Sequence, residues 1–132
     1  MNETRYLTLS DVIAIHERMM QQLRLPPNPL RPDGTLESAL NCPRMAAWDE
    51  EADIVHQAAL LGTGISQAQA FLDGSKRTAY LVMVTFLRLN GFDYVGDRLE
   101  LAQQFEAFAL QSRDAQALDN FELWLRKRVS SQ

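Results

Sequence analysis

The side chains best suited to chemistry in this sequence lie in one polar segment, Asp-Gly-Ser-Lys-Arg at residues 73–77. Arg77 offers a planar fork of N–H donors to phosphate oxygens, and Lys76 adds a mobile positive charge. Gly74 allows a tight turn and a close approach of the backbone to a ligand. Asp73 is the one carboxylate here that can hold Mg²⁺, which usually binds one or two carboxylates together with phosphate oxygens and water. Together these residue types indicate a site for a nucleotide with its metal ion.

A structural role is the alternative for the same residues. Asp73 can cap a helix, and Lys76 and Arg77 can lie in solvent without a ligand. On residue types alone, this alternative stays open.

The polar segment is followed by an almost wholly apolar run at residues 78–89. The apolar residues occur on all sides of a helical wheel, which is typical of a central helix packed on every face. A strand is the rival interpretation, but the run is long for a strand, and Asn90-Gly91 ends it as a helix C-cap does. A helix that begins at the polar segment would present unpaired N–H groups and the positive end of its dipole there.

Two common phosphate-binding motifs are excluded. A Walker loop requires Ser or Thr after its lysine, but Lys76 is followed by Arg77, and Gln69 stands where the first glycine belongs. The Gly-Thr-Gly at residues 62–64 begins like a dinucleotide fingerprint, but Gln67 occupies the position of its third glycine.

Residues 69–79, QAFLDGSKRTA, resemble the signature of the Fic/Doc (Fido) family, H-x-F-x-[DN]-[GA]-N-K-R-T-A, and are most similar to its Doc, or death-on-curing, branch. Two positions depart from the signature, so the motif is degenerate. Gln69 stands where the family has its catalytic histidine, and Ser75 stands where it has an anion-binding asparagine. The remaining specified positions match.

The resemblance extends beyond this motif. Residues 30–40 are similar to another family segment, and residues 87–91 fit the family's helix end, so the likeness covers nearly the whole chain. It implies an all-α fold: a compact bundle of about six helices around a central buried helix, with at most a short extended piece after Gly91. We expect residues 1–132 to form a single domain of this kind.

The two departures bear on the implied chemistry. An amide such as Gln69 has no useful basicity near neutral pH, and loss of a general base typically costs about 10²–10⁴-fold in rate. The resemblance places Gln69 and Asp73 at the catalytic positions, with Asp73 also as the metal ligand. It makes Gly74, Ser75, Lys76 and Arg77 the nucleotide-binding residues. ATP or another nucleotide should therefore bind weakly with Mg²⁺, and transfer should be nearly absent.

Two functions are compatible with this resemblance. The first is a Doc-like toxin of a toxin–antitoxin module, ancestrally a phosphotransferase acting on a protein hydroxyl and here impaired. The resemblance then implies an antitoxin partner and a translation elongation factor as the substrate. The second is a non-catalytic binding protein that retains a nucleotide or anion site. Whether the chain is still an enzyme is left open.

The expected reaction type depends on Lys76 and Tyr80. In the AMP-transferring branch of the family a glycine stands at the position of Lys76 and a second arginine at that of Tyr80. The resemblance to the Doc branch therefore implies that the terminal phosphate faces the acceptor, so that phosphoryl transfer rather than adenylylation is expected.

Composition sets the outer limits. The 132 residues are 46% hydrophobic and 23% charged, which is ordinary for a soluble domain. The net charge of −4 argues against nucleic acid as a partner. The single cysteine fits a reducing cytoplasm, and neither a signal peptide nor a membrane-spanning run is recognised.

The remaining sequence predicts the surrounding helices. Thr8 and Asp11 form a capping-box pattern before an amphipathic helix in which His16 is expected to be a packing residue. The next helix is expected over residues 36–40 with Pro43 as its limit, and Met45 and Trp48 are expected to anchor the core.

A third helix is expected to lead from about Ile54 to Gln69, with Gly62 and Gly64 loosening its centre. His56 is interpreted as structural or surface-exposed. A polar loop over residues 112–116 is expected to precede a last helix that begins at Asp119-Asn120.

Overall fold

The computed structural model describes residues 4–26, 34–50, 52–68, 75–110 and 114–132. In these ranges the chain forms six helices and a small two-stranded sheet, which confirms the predicted all-α class. No helix among the described residues is long and apolar enough to cross a membrane. The elements are α1 Leu9–Gln22, α2 Thr35–Glu50, α3 Ile54–Ala68, α4 Ser75–Leu89, β1 Phe92–Tyr94, α5 Arg98–Leu110, α6 Ala115–Arg126 and β2 Val129–Ser131.

The central helix is α4, as its apolar sequence predicts. It contacts α1, α3, α5 and β1. Burying each large apolar side chain stabilises the fold by roughly 1.5–3 kcal/mol, so these contacts hold α4 firmly in place. After the helix, Gly91 adopts a φ of +90°, a conformation that favours glycine. The fully buried apolar residues of α4 are Ala79, Val82, Met83, Phe86 and Leu87.

The predicted cap of α1 is confirmed. The Asp11 backbone N–H donates to Thr8 Oγ1 at 3.1 Å, and the Thr8 N–H donates to Asp11 Oδ2 at 2.9 Å. His16 is 1% exposed, and its Nδ1 forms a hydrogen bond with Thr78 Oγ1 at 2.8 Å. The packing role expected of His16 is thus confirmed, and it joins α1 to the first turns of α4.

Gly62 has a different role from the one expected. A Cβ atom at this position would lie 2.9 Å from Met83 Sδ and 3.2 Å from Phe105 Cζ. The missing side chain therefore lets α3 approach α4 and α5 closely.

Two predictions about α2 are wrong. The helix continues through Pro43 to Glu50, because buried residues on both sides of the proline, among them Leu36 and Ala46, hold it in the bundle. A proline removes one internal hydrogen bond, and tertiary packing compensates for that loss here. Met45 and Trp48 do not anchor the core, since they are 62% and 88% exposed.

The last helix also begins earlier than expected. Asp114 Oδ1 accepts a hydrogen bond from the Ala117 N–H at 3.0 Å, so α6 starts at Ala115. The chain then returns to pair Val129–Ser131 antiparallel with Phe92–Tyr94, and this second strand was not predicted.

Candidate functional site

The structure describes part of the predicted motif. Gln69, Asp73 and Gly74 lie outside the described residues, and with them the predicted catalytic position and metal ligand. Ser75 is the first residue of α4, and Lys76 and Arg77 follow it in the first turn. The predicted start of the central helix at the polar segment is therefore confirmed.

The first turn of α4 is exposed on one side and buried on the other. Lys76 and Arg77 are exposed, whereas Thr78 and Ala79 are fully buried. Because Thr78 is also hydrogen-bonded to His16, the backbone that carries the two cations is fixed against α1. The positive side chains thus extend from a rigid support, which reduces the ordering cost of binding a ligand.

A cavity of about 520 Å³, here called the α4 cavity, opens beside this turn between α1, α4 and α5. Its volume lies within the usual range of small-molecule sites. Lys76, Arg77 and Arg98 supply its positive charges, and no acidic residue is among the described residues that line it. The other lining residues are Met19, Gln22, Leu23, Tyr80, Leu81, Leu99, Ala102 and Phe105.

These cations have few competing partners. Lys76 Nζ lies 3.4 Å from Glu106 Oε1, but the two side chains are 51% and 61% exposed, so the ion pair is weak. Arg77 and Arg98 form no ion pair within the part of the chain that the structure describes. As far as the described residues are concerned, both guanidinium groups are therefore available to an anion.

Arg98 is the residue of this site that sequence reasoning missed. It is the first residue of α5, and its Cζ lies 5.2 Å from the centre of the Tyr80 ring. The sequence separates Arg98 from the motif by a whole helix and a strand, so only the fold shows that they share a cavity.

A second cavity, of about 680 Å³ and here called the α6 cavity, lies between α2, α3 and α6. His56 and Asp119 line it, and it has no lysine or arginine among its described lining residues. No group of His, Cys, Asp and Glu in the described ranges is arranged to hold a metal ion. The described lining of this cavity therefore lacks the positive charges that would attract a phosphate.

The charges beside the α6 cavity are paired with each other. Arg126 Nη2 lies 2.9 Å from Asp53 Oδ1 and 2.8 Å from Glu122 Oε2, and His56 Nδ1 also contacts Glu122. The hydrogen bond from Arg126 lowers the pKa of Asp53 below its usual value. This network joins α3 to α6, which agrees with the structural role predicted for His56.

Comparison with known protein families decides the relationship. Residues 6–87 match the Fic/DOC family, more than half of the 132 residues. The chain belongs to the Fic/DOC family. The matched region contains α1, α2, α3 and most of α4, so it includes the polar segment and the residues that hold it, whereas α5 and Arg98 lie beyond it.

Membership of this family indicates a general type of ligand and reaction. Fic/DOC proteins generally bind a nucleotide with a metal ion and transfer part of the nucleotide. No curated protein matches this chain.

Proposed function

We propose that this Fic/DOC protein is a Doc-like toxin component that binds a nucleotide at the start of α4 and whose phosphoryl transfer is impaired. The observation that carries the proposal is the α4 cavity, in which Lys76, Arg77 and Arg98 converge and no carboxylate is found among the described lining residues. A cavity with this charge and an apolar floor suits a ligand that combines phosphates with a less polar part.

The nucleotide-binding role follows from the chemistry of the first turn. Arg77 can donate two parallel N–H bonds to a phosphate, and Lys76 supplies a point charge beside it. The first N–H groups of α4 have no partner within the helix, so they add further donors together with the positive end of the helix dipole. We assign Gly74 and Ser75 to the same phosphate contact.

The metal would be held by Asp73 and, when bound, would neutralise part of the phosphate charge. The cation-rich side of the cavity suits the phosphates themselves. Asp73, two residues before the start of α4 in the sequence, would thus complete the site.

Impairment follows from the residue at position 69. A general base removes the proton of the acceptor hydroxyl during transfer, and Gln69 cannot accept that proton. Its amide can still orient the hydroxyl by a hydrogen bond. Nucleotide binding should therefore persist while transfer is nearly lost.

We extend the proposal to the biological setting of the Doc branch. The partner is an antitoxin, the target is a hydroxyl of a translation elongation factor, and the compartment is the cytoplasm. Lys76, in place of a small residue, favours phosphoryl transfer over AMP transfer.

A non-catalytic binding protein with a residual anion site is the second candidate, and the amide at position 69 favours it. The two candidates share the nucleotide site. They differ in whether the protein is an impaired phosphotransferase or a binding protein without catalysis. Restoration of the base, described in the Discussion, separates them.

Calorimetric titration with ATP in the presence and absence of Mg²⁺ tests the nucleotide site. We expect weak, magnesium-dependent binding that Arg77→Glu abolishes. Arg88→Glu is the matched control, because Arg88 is an exposed arginine near the other end of α4, 3.8 Å from Asp93. Folded protein that binds no nucleotide at millimolar concentration would overturn the proposal.

A further inference from the structure

The position of Arg98 is not explained by the stability of its own helix. As the first residue of α5, it places a positive charge at the helix end that prefers negative charge. Asp97 already caps this end, since its Oδ2 accepts a hydrogen bond from the Glu100 N–H at 3.3 Å. The carboxylate of Glu100 pairs with Arg128 and not with Arg98, and its Oε2 lies 3.4 Å from Arg128 Nε. A cation that destabilises its helix end and has no ion-pair partner in the described ranges requires another reason.

Aromatic contacts hold Arg98 over the α4 cavity. Its guanidinium faces the ring of Tyr80, which in turn meets Tyr94 edge-on with the ring centres 6.3 Å apart. The hydroxyl of Tyr94 donates to the carbonyl of Asp97 at 2.7 Å, directly before Arg98. The start of α5 is thus connected to α4 through Tyr80 and to β1 through Tyr94, so the positive charge of Arg98 is preorganised.

The spacing along α4 defines what this charge can contact. Tyr80 is three residues after Arg77 and four after Lys76, so it lies about one turn, about 5.4 Å, further along the same face. Because its guanidinium lies over the Tyr80 ring, Arg98 brings a third cation to the part of the cavity beside Tyr80. The lack of an arginine at position 80 does not leave this part of the cavity uncharged.

We propose that Arg98 binds a second phosphate group and makes the α4 cavity selective for nucleoside di- and triphosphates over monophosphates. A monophosphate would be bound by the first turn of α4 and by Arg77. A longer phosphate chain would extend along the helix face and reach Arg98. This inference rests on the proposed nucleotide site, and it concerns a residue outside the part of the chain that matches the family.

The test is a set of titrations of the full-length protein with Mg·ATP and with AMP. Arg98→Leu should weaken binding of Mg·ATP by about 10–100-fold, the loss expected for a charged hydrogen bond. Its affinity for AMP should remain that of the wild type. Arg98→Lys keeps the charge without the planar fork and should be intermediate.

Two further variants complete the set. Arg88→Leu removes the same charge from the same protein outside the cavity and should leave both affinities unchanged. Arg98→Gln provides a second, polar truncation if Arg98→Leu lowers the melting temperature, and circular dichroism checks that each variant is folded.

The outcomes separate this inference from the proposed function. If Arg77→Glu abolishes Mg·ATP binding while Arg98→Leu binds as the wild type does, Arg98 is not a phosphate ligand and the nucleotide site stands. An equal loss for AMP and Mg·ATP in Arg98→Leu overturns the second-phosphate role. Wild-type protein that binds neither nucleotide overturns both proposals.

Discussion

Arginines lie in the α4 cavity and beside the α6 cavity, but their charges are arranged in opposite ways. Beside the α6 cavity, Arg126 is held between Asp53 and Glu122, and the charges satisfy one another. In the α4 cavity, Arg77 and Arg98 converge with Lys76, and the part of the lining that the structure describes offers them no carboxylate. A fold gains little from collecting like charges, because they repel each other and weaken the compact state. The difference is the one we expect between a structural arginine and the ligand-binding arginines that we propose for the α4 cavity.

The largest expected effect comes from restoring the motif beside the α4 cavity. Gln69→His together with Ser75→Asn should raise phosphoryl transfer by about 10²–10⁴-fold, because the histidine can act as a general base. Mass spectrometry of a target protein incubated with the double variant and ATP measures the product.

An added phosphate on the target supports the Doc-like assignment. An added AMP would show that Lys76 does not set the reaction type. No modification, with nucleotide still bound, would favour the non-catalytic binding protein.

The next effect is on the free energy of unfolding. It distinguishes the paired charges beside the α6 cavity from the cations of the α4 cavity. Arg126→Ala should lower the free energy of unfolding by about 1–2 kcal/mol, a reduced value because the pairs are partly exposed. Arg77→Ala should change it by less than about 0.5 kcal/mol, as is usual for an exposed residue, since Arg77 has no ion pair in the described ranges. Urea unfolding of both variants measures the difference, and an equal loss in the two would remove the contrast.

The contacts that position Arg98 can be weakened by a substitution at Tyr94, whose hydroxyl donates to the carbonyl of Asp97. Tyr94→Phe removes the hydrogen bond to Asp97 and should cost about 0.5–1 kcal/mol at neutral pH. Burial raises the pKa of Tyr94 from 10.0 to about 12. Since the folded-state pKa is the higher one, the neutral phenol favours the folded protein.

This contribution is fully present below pH 10 and is lost as the pH rises through about 12. The stability difference between wild type and Tyr94→Phe should therefore shrink over this interval. Denaturant unfolding at neutral pH and at alkaline pH measures it, and a difference that stays constant would argue against a buried, hydrogen-bonded phenol.

The smallest effect concerns acid stability beside the α6 cavity. The pKa of Asp53 is lowered from 3.8 by its hydrogen bond from Arg126, so its carboxylate favours the folded state above that pH. This contribution is lost as the pH falls through the lowered folded-state pKa. Asp53→Asn should thus be less stable than the wild type at neutral pH but not in acid. Solvent screening keeps the difference small, because the Asp53 side chain is 58% exposed.

The sequence predicts those parts of the fold that depend on local patterns. The apolar run of α4, the cap at Thr8 and the packing role of His16 were recognised because each has a signature within a few residues. The start of α4 at the polar segment follows from the same patterns. They place Lys76 and Arg77 in the first turn, where the structure has them.

The errors arise where tertiary packing overrides a local rule. Pro43 lies inside α2 because the helix packs on α3 and residues on both sides of the proline are buried. Trp48 is exposed although tryptophan is usually largely buried, since it lies on the outer face of α2. The second strand, Val129–Ser131, has no strong strand propensity and is extended because it pairs with β1.

The shared cavity of Arg77 and Arg98 could not be predicted for a related reason. No pattern in the sequence relates the first residue of α5 to the first turn of α4. The shared position of the two arginines depends on how α4 and α5 pack and on the rings of Tyr80 and Tyr94 beside Arg98.

The most direct test of the central claim compares Arg77→Gln with Arg126→Gln in Mg·ATP titrations and thermal unfolding. We expect Arg77→Gln to lose nucleotide binding and to keep the wild-type melting temperature. For Arg126→Gln we expect the reverse, with binding retained and the melting temperature lowered. Nucleotide binding by Arg77→Gln with wild-type affinity would contradict the assignment of the α4 cavity as the phosphate site.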